Sequence, residues 1–174
     1  FSLNCAINEI EEDTLITYGD IVYSAQLLDL LIIDDHNISV PIDLNWKNYW
    51  TSRFANPLED LESLQLDEDN NIKNIGQSVS TIDEIEGQYM GIIKLNRNGS
   101  LLFKDYLQRY KKRGYVKNIP FNDAYLTDLL HELSQKVDIH ALKNKWPWIE
   151  IDNCKDLKGD YTIQRLEKIY QAMR

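Results

Sequence analysis

Apolar residues along this chain change their spacing several times, and each change marks an element. Leu3, Ala6, Ile7 and Ile10 recur at helical intervals, so residues 2–12 read as a short helix with Ser2 as its cap. Residues 15–18 read as a short buried strand, 24–33 as an apolar helix and 38–44 as a second strand. The segment 45–57, with Trp46, Tyr49, Trp50 and Pro57, shows no clear period and reads as irregular and aromatic. Residues 62–66 and 72–75 flank Asp67-Glu68-Asp69-Asn70-Asn71, the pattern of a hairpin, and 88–95 reads as one strand.

Two amphipathic helices follow. Residues 100–110 place Phe103, Leu107 and Tyr110 on one face; Lys111, Lys112 and Arg113 suit the negative end of that helix, and Gly114 suits its cap. Residues 122–136 turn Leu126, Leu129, Leu130 and Leu133 inward. Residues 137–142 and 148–151 read as strands, paired with each other. The tail from Asp160 is a helix with Ile163, Leu166, Tyr170 and Met173 on one stripe. Strands alternating with helices predict an α/β fold.

Composition narrows the function. A chain of 174 residues suits one domain, 1–174, with an adequate core, and 43% hydrophobic with 27% charged residues is the balance of a globular protein. The net charge of −9 disfavours nucleic acid and anionic membrane as partners, because both need a basic footprint. A small phosphorylated substrate stays compatible, since a bound divalent cation reverses the local field. Cys5 and Cys154 form no Cys-x-x-Cys motif and are expected to be free, buried thiols of a cytoplasmic protein. No stretch is apolar enough to span a bilayer, and Phe1-Ser2-Leu3-Asn4-Cys5 lacks the basic start of a signal peptide. Without an initiator Met, the chain is expected to be a fragment of a larger protein or a processed one.

The candidate chemistry is acidic. Asp20 and Asp152 each follow a predicted strand, and ligands of open α/β sheets bind outside the carboxyl ends of the strands. Two carboxylates converging there would hold Mg²⁺ against substrate phosphates. Taken singly, Asp20 reads equally as a turn residue and Asp152 as a helix cap. Glu150 would share a strand face with Asp152. Asp43, Trp46, Trp50 and Arg53 form an aromatic, charged cluster that suits either an ammonium pocket or a packed corner. Asp67-Glu68-Asp69 lacks the Gly and Glu that a calcium loop needs and reads as a solvated hairpin tip. His36, His131 and His140 show no ligand spacing and read as surface or structural residues.

One ordered set of motifs carries a resemblance. Tyr18-Gly19-Asp20-Ile21-Val22-Tyr23, Val40-Pro41-Ile42-Asp43-Leu44-Asn45-Trp46, Arg53…Asn56-Pro57-Leu58, Glu86-Gly87-Gln88-Tyr89-Met90-Gly91, Ala124-Tyr125-Leu126-Thr127-Asp128-Leu129-Leu130 and Trp148-Ile149-Glu150-Ile151-Asp152…Asp156-Leu157 occur in sequence. The chain resembles the later part of the nucleotidyltransferases that activate phosphocholine, aminoethylphosphonate and related compounds, some of them fused to phosphoenolpyruvate mutase. The resemblance implies a three-layer α/β sandwich of the nucleotide-diphospho-sugar transferase type, with a mixed sheet lacking its N-terminal strands. It implies transfer from a nucleoside triphosphate, CTP first, to a small phosphate or phosphonate acceptor, with release of pyrophosphate.

By the same resemblance, Asp20 and Asp152 are the catalytic Mg²⁺ ligands. Asp43, Trp46, Arg53, Glu86, Tyr89, Tyr125, Asp128 and Glu150 are the candidates for substrate binding. The family's Gly-rich loop and lysine have no counterpart after Phe1. The expectation is therefore an N-terminally truncated domain that is fused to, or pairs with, the missing part. A non-catalytic subunit that keeps the fold is the alternative. A related glycosyltransferase is a weaker one, because the only D-x-D, Asp67 and Asp69, falls in the hairpin.

Overall fold

The computed structural model describes residues 2–172 apart from positions 55, 57 and 59. Its elements in order are α1 (Ser2–Cys5), β1 (Thr14–Thr17), β2 (Ile21–Tyr23), α2 (Ala25–Ile33), β3 (Ile38–Asp43), α3 (Trp46–Arg53), β4 (Glu62–Leu66), β5 (Ile72–Ser78), β6 (Gln88–Tyr89), β7 (Ile92–Leu95), α4 (Arg97–Arg113), β8 (Tyr115–Val116), β9 (Ile119–Pro120), α5 (Leu126–Ser134), β10 (His140–Asn144), β11 (Trp148–Glu150), α6 (Cys154–Lys158) and α7 (Asp160–Ala172).

The central sheet runs β1-β7-β3-β10, with β6 also on β3. It is mixed: β3 and β10 are parallel, while β1, β6 and β7 pair antiparallel. All six residues of β3 are buried, as a strand covered on both faces must be. One apolar core holds Ile38, Val40, Ile42, Ile93 and Leu95 of the sheet against Phe103 and Leu107 of α4 and Leu130 and Leu133 of α5. The other holds Ile92 against Leu27 and Leu31 of α2, Tyr49 and Trp50 of α3, Trp148 of β11 and Ile169 of α7. Ile92 and Ile93 thus face opposite layers, as successive strand residues do. The result is the expected α/β sandwich.

Helix α4 starts at Arg97, three residues before the expected 100, and ends at the expected Gly114 cap. The Asn96 side chain accepts from the Gly99 N–H at 2.8 Å, and Gly114 closes the helix at φ 83°, a left-handed conformation that glycine adopts without strain.

Several expectations need correction. Residues 2–12 hold one α-turn and a 3₁₀ turn (Ile7–Glu9) rather than a continuous helix. Helix α5 is shorter than 122–136. Strand β1 lies at the sheet's edge and alternates half-buried with exposed residues. The segment 88–95 is interrupted at Gly91, where φ is +74°. The irregular stretch after residue 45 is helix α3, whose buried residues Trp46, Tyr49, Trp50 and Arg53 fall at helical spacing.

The two late strands do not pair with each other: β10 joins β3, and β11 pairs antiparallel with β2, a strand absent from the sequence reading. Ile163, Leu166 and Tyr170 are exposed on α7, which turns Thr162 and Ile169 inward instead. Met173 lies outside the described residues. Both cysteines are exposed rather than buried. No helix among the described residues is long and apolar enough to cross a membrane.

Candidate active site

The site is built on the small β2–β11 ribbon. Glu150 pairs with Ile21, and the Ile151 N–H donates to the Asp20 carbonyl at 2.9 Å. Asp20, in the turn joining β1 to β2, therefore lies across from the end of β11, and Asp152 follows one residue later. Two residues 132 positions apart in number reach one end of one ribbon because those strands pair, and both are exposed.

Arg53 organises the carboxylates from behind. Its guanidinium is fully buried and donates to Glu150 at 3.1 Å, to Asp156 at 3.2 Å and to Asp152. Tyr49, Trp50 and Phe54 surround it, with ring centres 5.1 to 5.8 Å from its central carbon. Asp156 also accepts from the Asp152 N–H at 3.1 Å, from Asn153 Nδ2 at 2.9 Å and from the Tyr161 hydroxyl. The Tyr49 hydroxyl accepts from the Glu150 N–H at 2.8 Å and donates back to the Glu150 carbonyl at 3.2 Å. A planar fork that meets several carboxylates at once fixes their directions, which a lysine could not do as well.

In front lies a cleft of about 290 Å³, walled by the rings of Tyr18, Trp50, Tyr89 and Tyr125 and by the carboxylates of Asp60, Glu62, Glu150 and Asp152. Burial, and then the Asp152 charge, push Glu150 up to about 7 against the pull of Arg53. Burial, then the neighbouring Asp128 and Asp60, raise Glu62. Burial and the charges of Glu62, Glu150 and Asp20 push Tyr18 up to about 12. The Tyr89 hydroxyl is buried with no hydrogen-bond partner among the described residues, although its ring meets Tyr18 edge-on at 5.8 Å. An unpartnered polar atom facing a cleft full of negative charge is what a site built for a ligand leaves behind. A larger cavity of about 450 Å³, beyond Tyr18 and Tyr125, is lined by apolar side chains such as Ile16, Leu107, Phe121 and Leu129 and offers no carboxylate.

Of the residues named from sequence, the structure gathers Tyr89, Tyr125, Glu150 and Asp152 at the cleft, with Asp20 beside it. Arg53 stands behind the carboxylates. Asp43 lies elsewhere: it accepts from Trp148 Nε1 at 2.8 Å and from the Asn45 N–H at 2.7 Å, beside Arg165. Trp46 packs into the apolar core. Glu86 is exposed and accepts from the Leu66 N–H at 3.1 Å, bracing the β4–β5 hairpin. Asp128 caps α5 through the Tyr125 N–H at 3.0 Å. Sequence reasoning passed over Tyr18, Asp60 and Glu62. Glu62 was hidden because the β4 register shifts between Glu62 and Leu64, so alternation along the strand does not mark its face.

The mixed sheet and its two helical layers have the fold of nucleotidyltransferases. The inositol-1-phosphate CTP transferase from T. maritima superposes on 99% of this chain and 62% of its own, with a TM-score of 0.64 and 14% sequence identity. Among curated proteins, the CTP:phosphoglutamine cytidylyltransferase of Campylobacter jejuni is 31% identical over 159 residues, which are 91% of this chain and 62% of that protein. The chain thus spans less than two thirds of either protein's length. No family model matches it.

Proposed function

We propose that this chain carries the metal and acceptor side of a cytidylyltransferase. The full-length protein would transfer CMP from CTP to a small phosphorylated or phosphonate acceptor and release pyrophosphate. The observation that carries the reading is the β2–β11 pairing, which brings Asp20 and Asp152 to one end beside an acidic, aromatic cleft. The 31% identity to a phosphoglutamine cytidylyltransferase and the shared fold support it.

The residues fit a hard divalent cation. Asp20 and Asp152 are exposed carboxylates, and Mg²⁺ is commonly held by one or two carboxylates, substrate phosphates and water. Bound there, Mg²⁺ would neutralise charge on the triphosphate. The chain's own residues position. Arg53 holds Asp152 and Glu150 in fixed directions. Tyr18, Tyr89 and Trp50 give the acceptor an apolar wall, while Asp60 and Glu62 would face any ammonium group it bears. An acceptor phosphate oxygen forms the new bond to the α-phosphorus as the bond to pyrophosphate breaks. That oxygen is already anionic at neutral pH, so no protein nucleophile is required, and orientation supplies much of the rate.

The test is pyrophosphate release by the full-length protein with CTP, Mg²⁺ and a panel of phosphorylated amino acids, amines and phosphonates. Asp20→Asn and Asp152→Asn should each lower turnover by at least about 100-fold. Near-normal turnover in either variant refutes the assignment. A protein that neither binds CTP nor releases pyrophosphate with any acceptor is a non-catalytic homologue instead.

A further inference from the structure

At the other end of β3 three side chains meet whose spacing along the chain does not connect them. Asp34 ends α2, His36 precedes β3, and His140 opens β10 at the register position of Ser39. One ligand atom from each lies within 4.8 Å of the other two. The two imidazoles are stacked, with centroids 3.7 Å apart and planes 5° from parallel, and His36 Nδ1 is 3.1 Å from Asp34 Oδ2.

We propose that Asp34, His36 and His140 form a binding site for a divalent transition-metal cation of the Zn²⁺ class, separate from the carboxylate cleft. Two imidazoles and one carboxylate suit Zn²⁺, Co²⁺, Ni²⁺ or Fe²⁺ and disfavour Mg²⁺ and Ca²⁺, which take oxygen. The dimensions fit. Ligands 2.0–2.1 Å from a tetrahedral ion lie about 3.3 Å from one another. The Asp34–His36 contact of 3.1 Å is already near that spacing. The widest separation needs to close by at most about 1.5 Å. His36 is half-exposed and free to tilt out of the stack to aim its lone pair.

The carboxylate is also braced as metal-binding carboxylates are. Ser39 Oγ donates to Asp34 Oδ1, and Lys94, whose ammonium also donates to the Asp34 carbonyl, lies 4.0 Å from the same oxygen. That leaves Oδ2 turned toward the histidines. The His36 backbone N–H also donates to Oδ1, at 3.2 Å, which further fixes the carboxylate. Three protein ligands leave one position for water. The ion would tie the end of α2 to the starts of β3 and β10. The site lies roughly 10–15 Å along β3 from Tyr89, which pairs with Ile42.

The test uses the full-length protein without an affinity tag, stripped with chelator and titrated with Co²⁺ and Zn²⁺ by visible absorption and calorimetry. The expected result is one ion per chain with micromolar or tighter affinity, a Co²⁺ band in the visible and its displacement by Zn²⁺. At about a hundredfold over the dissociation constant, Zn²⁺ should raise the melting temperature by roughly 5–10 °C. His36→Ala should weaken binding at least about tenfold and lose the shift, while Asp152→Asn should keep both. Absence of stoichiometric binding up to about 100 µM Zn²⁺ overturns the proposal, as does binding that survives His36→Ala or is lost in Asp152→Asn. Because His36 is half-exposed, its variant should fold. His140→Ala is a second check, expected to behave alike; full retention of binding there also overturns the site.

Discussion

Replacing Arg53 by Met tests the architecture of the cleft most directly. The substitution keeps much of the volume among Tyr49, Trp50 and Phe54 but removes the cation that meets Glu150, Asp152 and Asp156. The three acids will respond differently. Asp152 is 42% exposed and can rehydrate, so its share is close to that of a surface pair. Glu150, already pushed up to about 7, takes up a proton in the variant instead of staying charged. Asp156 is only 5% exposed and can do neither easily, though it keeps its bonds from Asn153 and Tyr161. Removing one partner of a buried pair costs about 3–5 kcal/mol, and with two acids able to relieve themselves the lower end applies, about 3 kcal/mol. That corresponds to a fall in melting temperature of roughly 6–12 °C for a chain of this length.

The sign with pH follows from Asp156. Burial works to raise its pKa, but the Tyr161 hydroxyl and Arg53 outweigh it and hold the carboxyl below its ordinary value. An acid lowered in the folded state stabilises above its unfolded pKa, and that stability is lost as pH falls through the folded value. The gap between parent and Arg53→Met should therefore be widest near neutrality and narrow below about pH 4. Urea titration of both proteins at pH 7 and pH 3, with Arg53→Lys as an intermediate, measures it. A cost under about 1 kcal/mol at pH 7, or one equal at both pH values, would refute the account.

Two further outcomes follow from the same cleft. Tyr89→Phe removes a buried hydroxyl that has no partner among the described residues, so the free protein should become more stable by about 1 kcal/mol in urea titration. Acceptor affinity should fall about tenfold if that hydroxyl is held for the substrate, and unchanged affinity would rule out the role. Gly91→Ala should cost at least about 1 kcal/mol and lower turnover. Its φ is +74° and an added Cβ would lie 2.7 Å from Tyr18 Cδ2, so thermal melting indistinguishable from the parent's would contradict the close approach.

Much of this was legible from residues, and the rest was hidden for identifiable reasons. Helices α2, α4 and α7 announced themselves by apolar spacing, capping residues or both, although on α7 the inward face is Thr162 and Ile169 rather than the stripe of Ile163, Leu166 and Tyr170. Helix α3 was hidden because the last residue of its buried face is Arg53; a cation at a core position breaks the apolar period that would reveal the helix. Strand β2 is three residues long, too short for any alternation to show. Asp43 and Trp46 looked like a pocket because they are polar and aromatic neighbours, but Asp43 serves Trp148 and Trp46 serves the core. His36 and His140 could not be joined from sequence, since only the parallel pairing of β3 with β10 sets them together.

The cleft's electrostatics suggest how its cation would arrive under the proposed function. Asp152 is engaged by Arg53, and Glu150, Glu62 and Asp60 crowd the same space, with burial raising all three of these carboxyls. A guanidinium that shares Asp152 weakens that carboxylate's hold on a free ion, and Asp20 alone is a poor anchor for a cation that dehydrates reluctantly. Triphosphate oxygens supply the missing donors. The surrounding acids repel an unaccompanied phosphate and admit one whose charge is already neutralised. Under that proposal the arrangement would favour the nucleotide and its metal as one complex, with Arg53 holding Asp152 in the direction that the complex would meet.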